Sequence, residues 1–266
     1  MSNSLTFHYE TSGDRNNPTL LFLHGFMGSS ADWTEDFVPF FSDEHYCISL
    51  DLPGHGRTKA EHRDDYSMNR CAAGITGLLD SLAVSQANVI GYSMGGRLAL
   101  YMAVNFPGRV GKVVIESASP GLASDAERRA RIEQDRKLAD RIQHMPIDQY
   151  LDEWYAQPLF ATMDKASDRY QKMLTRRVQN DPRKLRLSLE MMGTGAQPSL
   201  WDKLEKIRSP LLLVVGERDE KFRQIADEMA RHCPSAKTEV VENAGHSVHF
   251  ENPQEYTKLA SQFLKL

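Results

Sequence analysis

The stretch Asn88–Leu100 reads NVIGYSMGGRLAL, and within it Gly91-Tyr92-Ser93-Met94-Gly95 forms a G-x-S-x-G pattern. With glycine near ~7% of an average composition and serine similar, the bare pattern arises by chance in roughly one chain in ten of this length. Its flanks give it meaning. QANVIGY before the serine is a short apolar run of strand type, and RLALYMAV after it has helical spacing. A serine on so sharp a strand-to-helix turn is held in a strained conformation with Oγ exposed above a sheet. Bulk two residues to either side would press on the turn, which explains Gly91 and Gly95. The oxygen then lies at a helix N-terminus, where free amides and the helix dipole favour developing negative charge. A glycine-rich helix start that merely packs is the bland alternative.

A serine hydroxyl at neutral pH is a poor nucleophile and a poor base, so it needs a histidine, and the histidine needs an acid. VVENAGHSVHF offers His246 on a loop after the last strand-type run, with His249 as second choice and better suited to a surface or structural role. LLLVVGERDE offers Asp219 directly after the preceding run; Glu116, closing VVIE, is the rival acid. An oxyanion needs two amides. The residue after the serine, Met94, supplies one, and Phe26 in LLFLHGFMGSS supplies the other. His24 in the same loop, and the segment DLPGHG (Asp51 to Gly56), read as structural supports rather than as chemistry.

Elements must bring these residues together. Strand-type runs occur at Leu5–Tyr9, Leu20–Leu23, Cys47–Leu50, Ala87–Ile90, Val110–Ile115, Leu211–Val215 and Thr238–Val241. Helical patterns lie at Trp33–Phe41, Met68–Leu82, Met94–Asn105, Phe222–His232 and Pro253–Leu266. Alternating strand and helix, with near-continuous apolar strands, predicts an α/β fold: a mostly parallel sheet covered by helices on both faces. From about Pro120 to about Trp201 the text is polar and helical, as in ERRARIEQDRKLADRI, DQYLDEWYAQPLF and DRYQKMLTRRVQNDP. The expected organisation is therefore a core over 1–119 and 202–266 with a helical cap over 120–201.

The 266 residues suit one large domain with an insertion, and the net charge of −4 gives no reason to expect nucleic acid or an anionic membrane as partner. Three widely spaced cysteines, Cys47, Cys71 and Cys233, fit reduced thiols, and no spacing suggests a metal site. The N-terminal residues show neither a basic n-region nor an apolar h-region, so the reading is a soluble cytoplasmic protein.

Across core and cap the landmarks LFLHGFMGSS, SLDLPGHGRT, IGYSMGGRLAL, VVGERD and ENAGHSVHFENP resemble the α/β-hydrolase superfamily, whose triad order is Ser93, Asp219, His246 here. GYSMGGR with its arginine, HGFMGSSADW, IESASPGL, DEWYAQPLF, GTGAQPSLW and GERDEKF together resemble a narrower family, the 2-succinyl-6-hydroxy-2,4-cyclohexadiene-1-carboxylate synthases of menaquinone or phylloquinone biosynthesis. The resemblance implies a lyase that removes pyruvate from 2-succinyl-5-enolpyruvyl-6-hydroxy-3-cyclohexene-1-carboxylate, with the triad acting as a base and with no metal or organic cofactor. The substrate has three carboxylates, and burying them without cations would be very unfavourable. Arg97, one helical turn beyond Ser93, is read as one such cation. By resemblance Arg131 and Arg177 are the others, with Arg176 adjacent to the second assignment, and Trp154 and Tyr155 lie near the substrate; Tyr92, beside the serine, is a further residue expected to line the site. A carboxylesterase or carbon–carbon bond hydrolase of the same fold is the alternative, and a non-catalytic ligand-binding protein a further one. A monomer or small homo-oligomer is expected.

Overall fold

A computed structural model describes residues 4–265 of the chain. Nine strands form in chain order: β1 (Leu5–Thr6), β2 (Tyr9–Ser12), β3 (Thr19–Leu23), β4 (Tyr46–Leu50), β5 (Lys59–Ala60), β6 (Ala87–Tyr92), β7 (Val110–Glu116), β8 (Leu211–Gly216) and β9 (Ala236–Val241). Seven of them make one sheet in the order β2-β4-β3-β6-β7-β8-β9, antiparallel only at β2. The predicted strand Leu5–Tyr9 is two strands. Leu5–Thr6 pairs with Lys59–Ala60 outside the main sheet, and Tyr9 begins the antiparallel edge. An apolar run cannot reveal that its two ends have different partners.

Alternation along each strand sends successive residues to opposite faces. Leu21 and Leu23 of β3 join one core with Ile48, Leu50, Val89, Val113 and Leu213. Leu20 and Phe22 join the other with Cys47, Ile90, Val114 and Leu212. Helices α2 (Met68–Ser81), α3 (Met94–Asn105) and α8 (Glu220–His232) cover the first face. Helices α1 (Ala31–Thr34), α9 (Val248–Glu251) and α10 (Pro253–Lys265) cover the second. A strand buried on both faces must be apolar throughout, which is why TLLFL and LLLVV are fully buried; each such leucine or phenylalanine contributes roughly 1.5–3 kcal/mol.

The helix expected over Trp33–Phe41 is broken into α1 and a 3-10 turn at Val38–Phe40. Pro39 has no N–H to continue an α-helical ladder, so the chain turns there while Trp33, Phe37 and Phe41 still reach the core. Residue 266, the predicted end of the last helix, lies outside the described residues.

Between β7 and β8 the described residues contain no strand. Four helices occupy the insertion: α4 (Asp125–His144), α5 (Ile147–Tyr155), α6 (Asp168–Arg177) and α7 (Pro182–Met192). They bury their own cluster, including Ile142, Tyr150, Tyr155, Tyr170 and Leu185, with Met27 from the sheet side. Ser124, Ser167 and Asp181 cap three of these helices by accepting from backbone amides, which fixes where each begins.

The strand order places the site. From β3 the chain passes to β4 on one side and then returns to β6 on the other, so the loops leaving β3 and β6 diverge at the C-terminal edge. A crevice opens at such a switch point. Leu23 pairs with Gly91 in parallel register, and the loop after β3 therefore runs beside the serine turn.

Candidate active site

Ser93 sits between β6 and α3 with φ 48° and ψ −105°, a conformation that side chains other than glycine rarely adopt. Its amide donates to the Glu116 carbonyl at 2.9 Å, and its carbonyl accepts from the Arg97 amide at 2.9 Å. The two flanking glycines act differently from the sequence expectation. A Cβ on Gly91 would meet the Gly95 carbonyl at 2.5 Å, and one on Gly95 would meet the Leu23 carbonyl oxygen at 2.1 Å. They let the turn fold on itself and let α3 start against the end of β3, rather than relieving the serine's own backbone.

The His246 ring carries the constellation. Its Nδ1 lies 2.8 Å from Asp219 Oδ2 and its Nε2 3.3 Å from Ser93 Oγ. Both His246 and Asp219 are buried, while Ser93 is partly open. Asp219 is held from two directions, because its Oδ1 also accepts from the Phe222 amide at 3.2 Å as the N-cap of α8. With Asp219 accepting, Nδ1 carries the proton and Nε2 is left to receive one from the serine. Phe222 packs on the His246 ring at 4.7 Å, and Tyr92 flanks it at 5.6 Å.

The rival acid has other duties. Glu116 is fully buried, and both of its carboxylate oxygens accept from His249 Nδ1, at 2.8 and 2.9 Å, with the His249 amide adding a third bond at 3.1 Å. His249 is itself buried, so its role is structural and not at the surface. Tyr92 meets the His249 ring of this second pair edge-on and bonds Ser247 Oγ at 2.6 Å, and burial pushes its phenol well above the usual range.

Phe26 and Met94 line the same cavity as the serine, and among the described residues neither amide donates to another protein group. The loop carrying Phe26 is held by buried imidazoles. His55 Nε2 accepts from the Met27 amide at 3.0 Å, and His24 Nε2 accepts from the Leu52 amide at 2.9 Å. Burial lowers the pKa of both rings, which keeps those nitrogens free to accept. Asp51 accepts from the amides of Ser30 and Arg57, at 2.7 and 2.8 Å. DLPGHG is thus scaffolding, as expected.

A cavity of about 1020 Å³ opens beside Ser93 and His246 and is lined by Phe26, Met94, Arg97, Arg131 and Trp154 among others. A narrow second one of about 50 Å³ shares Ser93, Trp154 and His246, and adds Tyr92, Tyr155 and Arg177. Ser93, His246, the two oxyanion candidates, the three arginines and the three aromatic residues singled out from the sequence each line one or both of these spaces, whereas Asp219 lines neither and reaches them only through His246. The three arginines differ in their partners. Arg131 pairs with Asp135 at 2.7 Å. Arg177 reaches Asp32 at 3.4 Å, the Tyr155 hydroxyl and the Phe26 carbonyl. Its neighbour Arg176 turns away to Glu35 and Asp32, so Arg177 is the one that faces inward. Arg97 donates to the Met192 carbonyl at 2.8 Å and to Gln197 Oε1 at 3.1 Å, and among the described residues it pairs with no carboxylate. Burial, with Arg131 nearby, brings its pKa down to about 10; the group stays cationic at neutral pH.

Several contributors carried no readable signal. Asn180 donates to the Met27 carbonyl at 2.9 Å, so the insertion grips the loop that carries Phe26. Gln197 acts through Arg97, which lies far away in sequence, whereas Asp135 acts through Arg131 one turn back on the same helix. Neither Asn180 nor Gln197 belongs to a spacing pattern, and only the fold brings each to its partner.

The model of the alpha/beta hydrolase fold family matches residues 18–253. The chain is 34% identical over 261 residues to the 2-succinyl-6-hydroxy-2,4-cyclohexadiene-1-carboxylate synthase of Salmonella typhimurium, covering 96% of each. It is 39% identical over 266 residues to a Bacillus subtilis relative that bears the same name provisionally, covering 99% of this chain and 96% of that one. The solved structure of MenH from S. aureus superposes with a TM-score of 0.91 at 31% identity, over 97% of both chains.

Proposed function

The chain belongs to the 2-succinyl-6-hydroxy-2,4-cyclohexadiene-1-carboxylate synthases, pyruvate-eliminating lyases of the α/β-hydrolase fold in menaquinone biosynthesis, and from that premise we propose which residues perform the elimination. In this reading Ser93, His246 and Asp219 work as a base. The serine oxygen, relieved of its proton by His246 Nε2, takes the proton beside the succinyl carbonyl. The carbonyl oxygen becomes an enolate held by the amides of Phe26 and Met94. The electron pair then returns through the ring, the bond from the ring carbon to the enolpyruvyl oxygen breaks, and the enolate of pyruvate departs, becoming pyruvate when its methylene carbon takes up a proton.

The observation that carries the reading is a buried cation at the catalytic mouth that, among the described residues, pairs with no carboxylate. Arg97 is 9% exposed, lies one turn from Ser93 and has only neutral acceptors, at 2.8 and 3.1 Å. A hydrolase of uncharged esters has no use for it, whereas a carboxylate of the substrate would complete it. We assign Arg131 and Arg177 to the remaining carboxylates, and Tyr92, Trp154 and Tyr155 to the walls around the ring. The helices within 120–201 act as the cap. The three buried free thiols suit a reducing compartment, which favours the cytoplasm. A monomer or small homo-oligomer suffices, since every proposed group comes from one chain.

The test is to incubate the purified protein with 2-succinyl-5-enolpyruvyl-6-hydroxy-3-cyclohexene-1-carboxylate and follow pyruvate release. The wild type should release it catalytically and Ser93→Ala should lose several orders of magnitude in kcat. Near-normal release by Ser93→Ala would remove the triad from the mechanism.

A further inference from the structure

Gln197 is fully buried, yet it is a polar side chain in a segment that otherwise only connects α7 to the core. Both ends of its side-chain amide are engaged. Oε1 accepts from Arg97 at 3.1 Å and Nε2 donates to the Ser119 carbonyl at 3.1 Å. The assignment of the two amide atoms is forced, because a guanidinium can only donate and a carbonyl can only accept. The segment is anchored on both sides: the Gln197 amide donates to the Gly193 carbonyl at 3.0 Å, Leu200 donates to Pro120 at 2.7 Å, and the Trp201 indole donates to Gly121 at 2.9 Å.

The arrangement contrasts with the other two arginines of the site. Arg131 and Arg177 each come with an aspartate. At Arg97 the positions that a carboxylate could have taken are occupied by a peptide carbonyl and a carboxamide. A glutamate would have the same shape as Gln197 and would satisfy the guanidinium more strongly. It would also cancel the charge before any ligand arrived.

We propose that Gln197 is a specificity-determining positioning residue: with the Met192 carbonyl it fixes Arg97 by neutral acceptors only, leaving the full positive charge to a carboxylate of the substrate. The inference rests on the lyase reading above and concerns how that site selects anions. Neutral bonds hold the guanidinium in one orientation while its remaining N–H groups point elsewhere for a ligand. The energy of pairing the buried charge is thereby released on binding and not during folding.

Two substitutions separate charge from tethering. Gln197→Met conserves volume and removes both hydrogen bonds, whereas Gln197→Glu keeps an acceptor for Arg97, also loses the bond to Ser119, and adds a negative charge. If Gln197 only tethered, glutamate would be the milder change. The proposal requires the reverse: Gln197→Glu should lower kcat/KM for the enolpyruvyl substrate by at least a hundredfold, mostly through KM, and Gln197→Met by about tenfold or less. Diisopropyl fluorophosphate, an uncharged reagent that phosphorylates an activated serine, should label Ser93 in both variants at rates within threefold of wild type. Equal effects of the two substitutions, or a glutamate variant milder than the methionine one, overturns the proposal. So does a Gln197→Glu protein that fails to fold or to label, since the added carboxylate should complete Arg97 and not disrupt it. Absence of turnover by the wild type itself, with labelling intact, would instead count against the lyase reading.

Discussion

Each of two buried carboxylates holds its own histidine. Glu116 ends β7 and Asp219 lies just beyond the end of β8, as the N-cap of α8, and from the sequence either could have served. The structure divides them: Asp219 faces His246 and Glu116 faces His249. Asp219→Asn should therefore lower kcat by about 10³–10⁴-fold, because an amide can stabilise the wrong tautomer of His246. Glu116→Gln should retain most turnover and instead lose about 1.5–3 kcal/mol of stability, as a charged acceptor of buried bonds is weakened. Steady-state kinetics with urea unfolding on both variants reads this directly, and the opposite pattern would exchange their roles. Arg97→Ala should reduce kcat/KM by about tenfold to a few hundredfold, the value of one charge-assisted hydrogen bond, and Arg97→Lys should recover only part because the planar fork is gone. An unchanged kcat/KM in Arg97→Ala would end the carboxylate assignment. The triad and the arginine were readable because serine, histidine, acid and a stray cation each have few other uses in such contexts. Gln197 and Asn180 were not, since a carboxamide in a loop has many.

At the scale of elements, the turn into α3 is built by exclusion. The atom that Gly95→Ala would add meets the Leu23 carbonyl oxygen at 2.1 Å, and backbone cannot rotate aside as a side-chain tip can. Gly77, on α2, has nothing within 4 Å of the same added atom. Gly95→Ala should destabilise the protein by about 3 kcal/mol or prevent accumulation of folded material, the upper end of overpacking effects. Gly77→Ala should stabilise it by about 0.5–1 kcal/mol, since a helical glycine is replaced without strain. Chemical denaturation of the pair checks both signs. Helices α2 and α3 were legible to within a residue because their apolar faces are periodic and their ends are marked, by Ser67 as cap in one and by the serine turn in the other. The ends of β1 and the break after α1 were not, because they depend on which strand lies alongside and on one proline.

For the molecule as a whole, the order of strands was beyond the sequence, yet it is what makes the site. Seven apolar runs allow many sheets. Only the placement of β6 between β3 and β7 sets Phe26, Ser93 and Glu116 at neighbouring strand ends. The same architecture buries histidines at both ends of its strands, and this gives the fold a pH dependence. Burial holds the pKa values of His24, His45 and His55 below 6.5, so the unfolded chain binds protons that the folded one does not. Stability is then full above about pH 6.5 and is lost as pH falls from there towards the lowered folded values, with a slope of up to about 1.4 kcal/mol per pH unit for each ring. Urea midpoints between pH 7.5 and 5.5 should fall accordingly, and His55→Gln should flatten the decline. A flat profile in the wild type would mean that these rings are protonated in the fold.

The backbone of Ser93, with φ at 48°, has a history written into it. Holding a serine there costs about 1–3 kcal/mol that glycine would not incur. Ser93→Gly should accordingly abolish turnover and raise the unfolding free energy by about 1 kcal/mol, after allowing for the greater freedom of glycine in the unfolded chain. A lineage that no longer needed the product would gain robustness by discarding this one side chain, and mutation would find the change quickly. Wherever the serine persists at so uncomfortable a position, natural selection on the reaction must be renewing it in every generation.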